Sequence, residues 1–181
     1  MGTIKNFPIE HEGKTYWISR SVAVSGFIFC LINKKLYVLI SKRGSGTPNY
    51  QGYWNCPCGY LDYNETTTEA CSREIAEETN LNVNPKNLFL FDFTDKPEDS
   101  ESQNVTFNYW AFSSIYYSGQ TIYPKGTEPN EVEDVKWVSI DELDNYEFAF
   151  NHKRKICQII EFNLKNYVSE ETLLKIKKCI E

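Results

Sequence analysis

The stretch GYLDYNETTTEACSREIAEETNL, residues 59–81, carries Glu74, Glu77 and Glu78 at i, i+3 and i+4. On an α-helix that spacing puts all three carboxylates on one face. Ala70, Cys71 and Ile75 fall on an apolar stripe while the acids fall elsewhere, so the stretch predicts an amphipathic helix beginning near Glu65. Asn64 is placed to cap it, with acids in the first turn suiting the helix dipole. Three like charges so close repel one another unless a cation neutralises them, and clustered oxygen ligands select hard cations such as Mg2+ or Mn2+ over zinc. Taken alone, an acidic helix face is ordinarily a solvated surface. The residues around the glutamates decide between the two readings.

Upstream, residues 44–53 (GSGTPNYQGY) are rich in Gly, Pro, Ser and Asn and form a loop long enough to be functional. That loop delivers the chain to WNCPCG, residues 54–59. Earlier still, residues 17–32 are dense in β-branched and aromatic residues, and the pattern resumes at 36–43, which predicts a β-hairpin with its turn at 33–35. Downstream, residues 88–94, 105–117 and 132–140 read as strands, separated by the polar loops 95–104 and 123–130. Residues 139–146 predict a short capped helix and residues 152–168 a longer one; 169–181 opens with a capping box before a Leu/Ile stripe. This order argues for an α/β layered domain, and the antiparallel hairpin argues against a purely parallel doubly wound sheet.

With 181 residues, 41% hydrophobic and 24% charged, the chain has the profile of one domain with a real core. Nineteen Lys and Arg stand against 25 Asp and Glu, a formal charge of -6, so nucleic acid is not the expected partner. A small anionic substrate would need a local attractor instead. No secretory h-region and no membrane-length apolar run occurs, so a cytoplasmic protein without membrane attachment is expected. Asn6 stands where a myristoylation signal carries Ser or Thr. The six cysteines are then reduced thiols. Cys56 and Cys58 have only His11 and His152 to join them and no second close cysteine pair, which excludes a structural zinc set; C-x-x-C is absent too.

The pattern around the glutamates is Gly59, five residues, Glu65, seven residues, Arg73, Glu74, Ile75, one residue, Glu77, Glu78, one residue, Asn80, Leu81. It resembles the Nudix box, signature of the Nudix hydrolase family, with Asn80 where the family usually has glycine. Asn most readily replaces Gly in a left-handed helix C-cap. WNCPCG is similar to the family's W-x-x-P-G-G lead-in, with Cys58 in place of the first glycine, and residues 132–143 and 148–156 look like segments of members acting on ADP-ribose and related dinucleotides.

The resemblance implies a Nudix-type α/β/α sandwich with a mixed β-sheet, the catalytic helix following the Nudix loop. It implies one domain over residues 1–181, with its core at about 18–156 and a C-terminal helical segment at 152–180. The implied activity is metal-dependent hydrolysis of a nucleoside diphosphate linked to another moiety, with Mg2+ or Mn2+ as cofactor and ADP-ribose or a nucleotide sugar as leading substrate. Carried over by position, Glu74, Glu77 and Glu78 are metal ligands, completed by the carbonyl of Cys58 or Gly59; Arg73 orients the glutamates, and Glu65 ties the loop to the helix. Cys58 serves provided its φ/ψ suits a residue with a Cβ. Cys56 reads as a small buried residue.

For the general base, Glu128, Glu131 and Glu133 are at hand, with Glu131 and Glu133 the better placed. Arg20, Lys42 and Arg43 are candidates for anion contact, and Tyr50, Tyr53, Trp54 and Phe27 for the base. The competing readings are a nucleoside triphosphate or capped-RNA hydrolase, an isopentenyl diphosphate isomerase, which would want a histidine-rich metal site, and a non-catalytic nucleotide-sensing module. The apolar stripe of the last two helices packs on the sheet or on a second subunit, which leaves room for a homodimer.

Overall fold

The run VAVSGFIFCLI, residues 22–32, is buried along almost its whole length and forms the central strand of a mixed sheet in the computed structural model, which describes residues 5–99, 103–113 and 130–180. Two short strands precede it, β1 (Phe7–His11) and β2 (Lys14–Ile18), paired only with each other as an exposed ribbon. The predicted first strand from residue 17 therefore divides: Trp17 and Ile18 end the ribbon, and β3 (Val22–Ile32) begins after a break. β3 turns into β4 (Lys35–Arg43) through Asn33 and Lys34 alone, with φ of 49° and 65°. Two left-handed residues match the twist of a tight hairpin, so Lys35 belongs to the strand and the turn is shorter than expected.

β3 and β4 pair only at their joined ends, from Phe29 opposite Val38 to Ile32 opposite Lys35. Beyond that they part, and β5 (Trp54–Asn55) and β6 (Cys58–Tyr60) fill the gap. β5 pairs with Ser41 and Lys42, and β6 with residues 23–25 of β3. The sheet is completed by β7 (Phe89–Thr94), β8 (Val105–Phe112), which runs parallel to β3 and antiparallel to β7, and β9 (Val132–Ser139), antiparallel to β4. The split between β3 and β4 thus places CPCG in the sheet itself.

Alternation along β3 sends Val24 and Ile28 to one face and Phe27 and Phe29 to the other. On the first face lies α1 (Thr67–Thr79), contributing Ala70, Cys71 and Ile75. On the second lie α2 (His152–Ile159) and α3 (Glu170–Ile180), contributing Ile156, Ile159 and Ile176. The result is an α/β/α sandwich. α1 sits so close to β3 that a Cβ at Gly26 would lie 2.7 Å from Ile75 Cδ1.

The helix ends differ from expectation. α1 is capped by Thr66, whose side chain and that of Glu69 form a reciprocal capping box, while Asn64 adopts φ 68° in the preceding turn. Thr66 wins because its position lets Glu69 reach back to the cap N–H. Asn80 does take the left-handed C-cap, with φ 57° and its N–H on the Ala76 carbonyl at 2.8 Å. Residues 140–145 form a 3-10 helix without a side-chain cap from Ser139. The predicted helix over 152–168 is α-helical only to Ile159, then passes through a π turn (Ile160–Leu164) and a 3-10 turn (Lys165–Tyr167). Ser169 Oγ accepts the Thr172 N–H at 3.1 Å, but with Thr172 at that position the box lacks its acidic partner. A short 3-10 turn, Pro97–Asp99, lies within the polar loop 95–104. The end of the predicted strand 105–117 and most of the loop 123–130, including Glu128, lie outside the described residues. No described helix is long and apolar enough to cross a membrane, and all six cysteines are free thiols.

Candidate active site

The site forms where the split in the sheet meets the C-terminal half of α1. Glu78 is half-buried there: Ser41 Oγ donates to its Oε2 at 2.6 Å and the Cys58 N–H to its Oε1 at 3.0 Å. Burial pushes its carboxyl up to about 7, against the lowering effect of those two neutral donors. Ser41 lies within 3.1 Å of Asn55 Oδ1 as well. One hydroxyl proton cannot serve both acceptors, so the pocket holds the carboxylate with few donors.

Arg73 organises the other acids. Its Nε and Nη2 bridge both oxygens of Glu65 at 3.1 and 2.9 Å, Nη2 also donates to the Tyr60 carbonyl at 3.0 Å, and Nη1 reaches Glu74 and Glu77, each at 2.8 Å. The bidentate pair holds the Glu65 carboxyl below its ordinary range. Glu65 accepts in addition the Asp62 N–H at 2.8 Å, fixing the loop to the helix. The Glu74 carboxylate lies over Gly59: a Cβ there would stand 2.2 Å from Glu74 Cδ. A side chain at this position would have to displace the Glu74 carboxylate, while φ at Gly59 is not positive.

Cys58 has no positive φ and sits in β6 opposite Ser25, so the backbone condition on it is met. Burial pushes its thiol up to about 12, and Asn55 Nδ2 donates to the sulfur at 3.3 Å. That shift favours the neutral thiol. Cys56 is buried, as expected, and its N–H donates to His152 Nδ1 at 3.0 Å. Sequence reasoning missed His152 and Ser41 as supporting groups, which act through contacts to distant segments and leave no local pattern, and missed Thr66, whose T-x-x-E capping box with Glu69 is a local signal.

Among the described residues no three acidic, histidine or cysteine side chains already surround a common point. Arg73 draws on Glu74 and Glu77, while Ser41 and Cys58 hold Glu78. The donor set nevertheless fits a hard divalent cation, being carboxylate oxygens around a half-buried acid whose two hydrogen-bond donors are neutral.

The predicted substrate contacts separate. Arg43 is near the site, with Nε and Nη2 on Asn49 at 3.1 and 3.2 Å and its guanidinium carbon 5.1 Å over the Phe150 ring. Tyr53 is exposed at the rim of a cavity of about 710 Å3. Trp54 is half-buried, its ring covered by Lys136 Nζ at 4.5 Å and met edge-on by Tyr146 at 5.3 Å. Arg20 donates to the carbonyls of Asp95, Gln103 and Asn104 and stands among loop backbone. Phe27 is wholly buried in the core and cannot face a cleft. Lys42 pairs with Glu133 at 2.8 Å, and Glu131 is exposed where its carbonyl accepts the Gly44 N–H at 2.7 Å.

The NUDIX domain family model matches residues 22–158. Phosphatase NudJ of Escherichia coli (strain K12) is 26% identical over 116 residues, 64% of this chain and 69% of that protein. The fold is similar to the NUDIX domain of Shewanella oneidensis NrtR complexed with ADP ribose, at TM-score 0.67 and 22% identity over 80% of this chain and 89% of that one. It is similar also to a bifunctional NMN adenylyltransferase/ADP ribose pyrophosphatase from Francisella tularensis, at TM-score 0.60 and 22% identity over 79% of this chain and 41% of that one. At such identities the structures speak for the fold alone. The model's match across most of the chain and the box residues assembled at the split in the sheet lead to one conclusion: the chain belongs to the Nudix family, as a Nudix hydrolase.

Proposed function

We propose that the chain is a divalent-metal-dependent pyrophosphohydrolase cleaving a nucleoside diphosphate linked to another moiety, with ADP-ribose or a nucleotide sugar as the leading substrate class. The observation that carries this reading is Glu78, a half-buried carboxylate at the split in the sheet with neutral donors only, beside Glu74 and Glu77 held by one arginine. NudJ is a phosphatase, and the NrtR domain was seen with ADP ribose, which favours a phosphoanhydride nucleotide over other anions.

Glu74, Glu77, Glu78 and the Cys58 or Gly59 carbonyl would hold Mg2+ or Mn2+. When bound, such an ion neutralises pyrophosphate charge and acidifies an attacking water. Arg73 fixes Glu65, Glu74 and Glu77 relative to one another, and these carboxylates and Glu78 would converge when the ion binds. Glu65 keeps that arginine aligned with the loop. Arg43, on the same strand as Ser41, offers the positive charge that the acidic chain otherwise lacks. Glu131 is the proposed base, since Glu133 is paired with Lys42.

The test is product release from ADP-ribose, nucleotide sugars, dinucleotides and nucleoside triphosphates with Mg2+ or Mn2+, for the parent and Glu78→Gln. Metal-dependent turnover should fall at least about a hundredfold in the variant, the scale of a lost catalytic electrostatic contact. Turnover indifferent to metal or to the substitution would refute the assignment. Nucleotide binding without turnover of any substrate would make the chain a sensor.

A further inference from the structure

We propose that Tyr50, Tyr53 and Phe150 form a stacking platform for the substrate's nucleobase, with Arg43 between that platform and Glu78. The inference deepens the hydrolase reading and rests on it for the identity of the ligand.

The placement comes from β4. Ser41 holds Glu78, and Arg43 lies two residues further along the same strand, about 7 Å away at the rise of a β-strand. The guanidinium is 5.1 Å from the centre of the Phe150 ring, and its charge acts on Glu78, Cys58 and His152 alike. Nε and Nη2 are taken by Asn49, whereas Nη1 makes no hydrogen bond among the described residues. A phosphate oxygen near Glu78 would therefore meet Arg43, and a base one sugar further out would meet the rings.

Those rings are open and close together. Tyr50 stands 5.1 Å from Phe150 and 5.7 Å from Tyr53, and the three are 46%, 40% and 39% exposed. Tyr53 and Phe150 also border a cavity lined further by Asn151, Lys153, Arg154 and Lys178, whereas Tyr50 and Arg43 stand outside its lining.

The backbone shows that this arrangement is imposed. Tyr50 and Phe150 have φ of 53° and 55°, a region unfavourable to bulky side chains. Tyr50 is fixed by the Tyr53 N–H on its carbonyl at 3.1 Å, within a loop closed by Gly52 and Arg43. Phe150 is carried by a segment pinned to Trp54, which donates to the Glu147 carbonyl and accepts from the Ala149 N–H. Tyr50 and Tyr53 lie outside both core clusters, while Phe150 also packs on the buried His152 ring at 5.3 Å. The rings meet edge to face at 61° and 75°, so a base would stack on one ring and meet the edge of its neighbour, beside the arginine.

The experiment is calorimetric titration of AMP, GMP, CMP, UMP and ribose 5-phosphate with Mg2+ into the parent, Phe150→Leu, Tyr53→Leu and Phe150→Trp. Expected is at least one nucleotide bound at least tenfold more tightly than ribose 5-phosphate. That margin should shrink about five- to a hundredfold in the leucine variants, the range of one lost stack, and persist in Phe150→Trp, which keeps an aromatic face. A parent that binds ribose 5-phosphate as well as every nucleotide overturns the platform, as does an undiminished margin in both leucine variants. Turnover of phosphoanhydrides without base discrimination sinks the platform and spares the hydrolase; base-dependent binding without turnover does the reverse.

Discussion

His152 should make the protein acid-sensitive in a window that its position sets. The imidazole is buried, its Nδ1 accepts the Cys56 N–H at 3.0 Å, and Phe27 and Phe150 pack against the ring at 5.4 and 5.3 Å. Burial, reinforced by the charges of Arg43 and Lys155, lowers its pKa from 6.5 to about 3. The folded protein thus keeps this group neutral, while an unfolded chain protonates it below about 6.5. Stability from this group is complete above 6.5, is lost progressively as pH falls toward 3, and changes no further below that. Between pH 7.5 and 5.0 the loss is about 2 kcal/mol, from the linkage relation applied to those two values. His152→Gln keeps an acceptor for the Cys56 N–H and has no proton to gain. Urea unfolding of both proteins in EDTA at the two pH values isolates the term. Other titrating groups, including Glu78 with its opposite sign, are common to both proteins and cancel in the difference. The parent should lose about 2 kcal/mol more than the variant on acidification. Equal losses would refute the claim that His152 is held neutral by its surroundings.

Three further substitutions probe the site and its helix. Gly59→Ala puts a methyl group 2.2 Å from Glu74 Cδ, so the carboxylate must move; kcat should fall about ten- to a hundredfold, the cost of misplacing a catalytic group, while circular dichroism stays unchanged. Arg73→Lys keeps one charge but loses the fork that grips Glu65, Glu74 and Glu77, so the metal concentration for half-maximal activity should rise about tenfold or more, as for lost outer-shell support. An unchanged metal requirement would show that the glutamates are positioned without it. Thr66→Ala removes the cap of α1 and should cost about 1 kcal/mol, or about 2–4 °C in Tm for a chain of this size, measurable by thermal unfolding without ligand.

What was legible in the sequence was what is local. The glutamates share a helix face because 3.6 residues per turn brings i, i+3 and i+4 together, and no tertiary information is needed for that. Asn80 could be placed at the C-cap because a left-handed residue is a property of one residue and its neighbours. The strands of the central hairpin were legible for the same reason, while the boundaries of the turn and of the last helices depended on one- or two-residue competitions between caps. Thr66 over Asn64 is such a case: both side chains can cap, and only Glu69 decides.

The support of the site is non-local, and that is why it escaped. β3 and β4 part beyond Phe29 and Val38, and the space between them admits the segment from Trp54 to Tyr60. Ser41, Cys58 and Glu78 are separated by 17 and 20 residues in the chain, yet they meet in this gap, each alone unremarkable. The same gap brings His152 under Cys56 and sets Phe150 against Arg43, because Trp54 is bonded on either side to Glu147 and Ala149. One topological feature therefore links the metal-ligand helix, the buried histidine and the exposed aromatic rings. A substitution that closed the gap, such as lengthening the β3–β4 pairing, would be expected to disturb all three together, whereas changes at Tyr53 should disturb the rings alone.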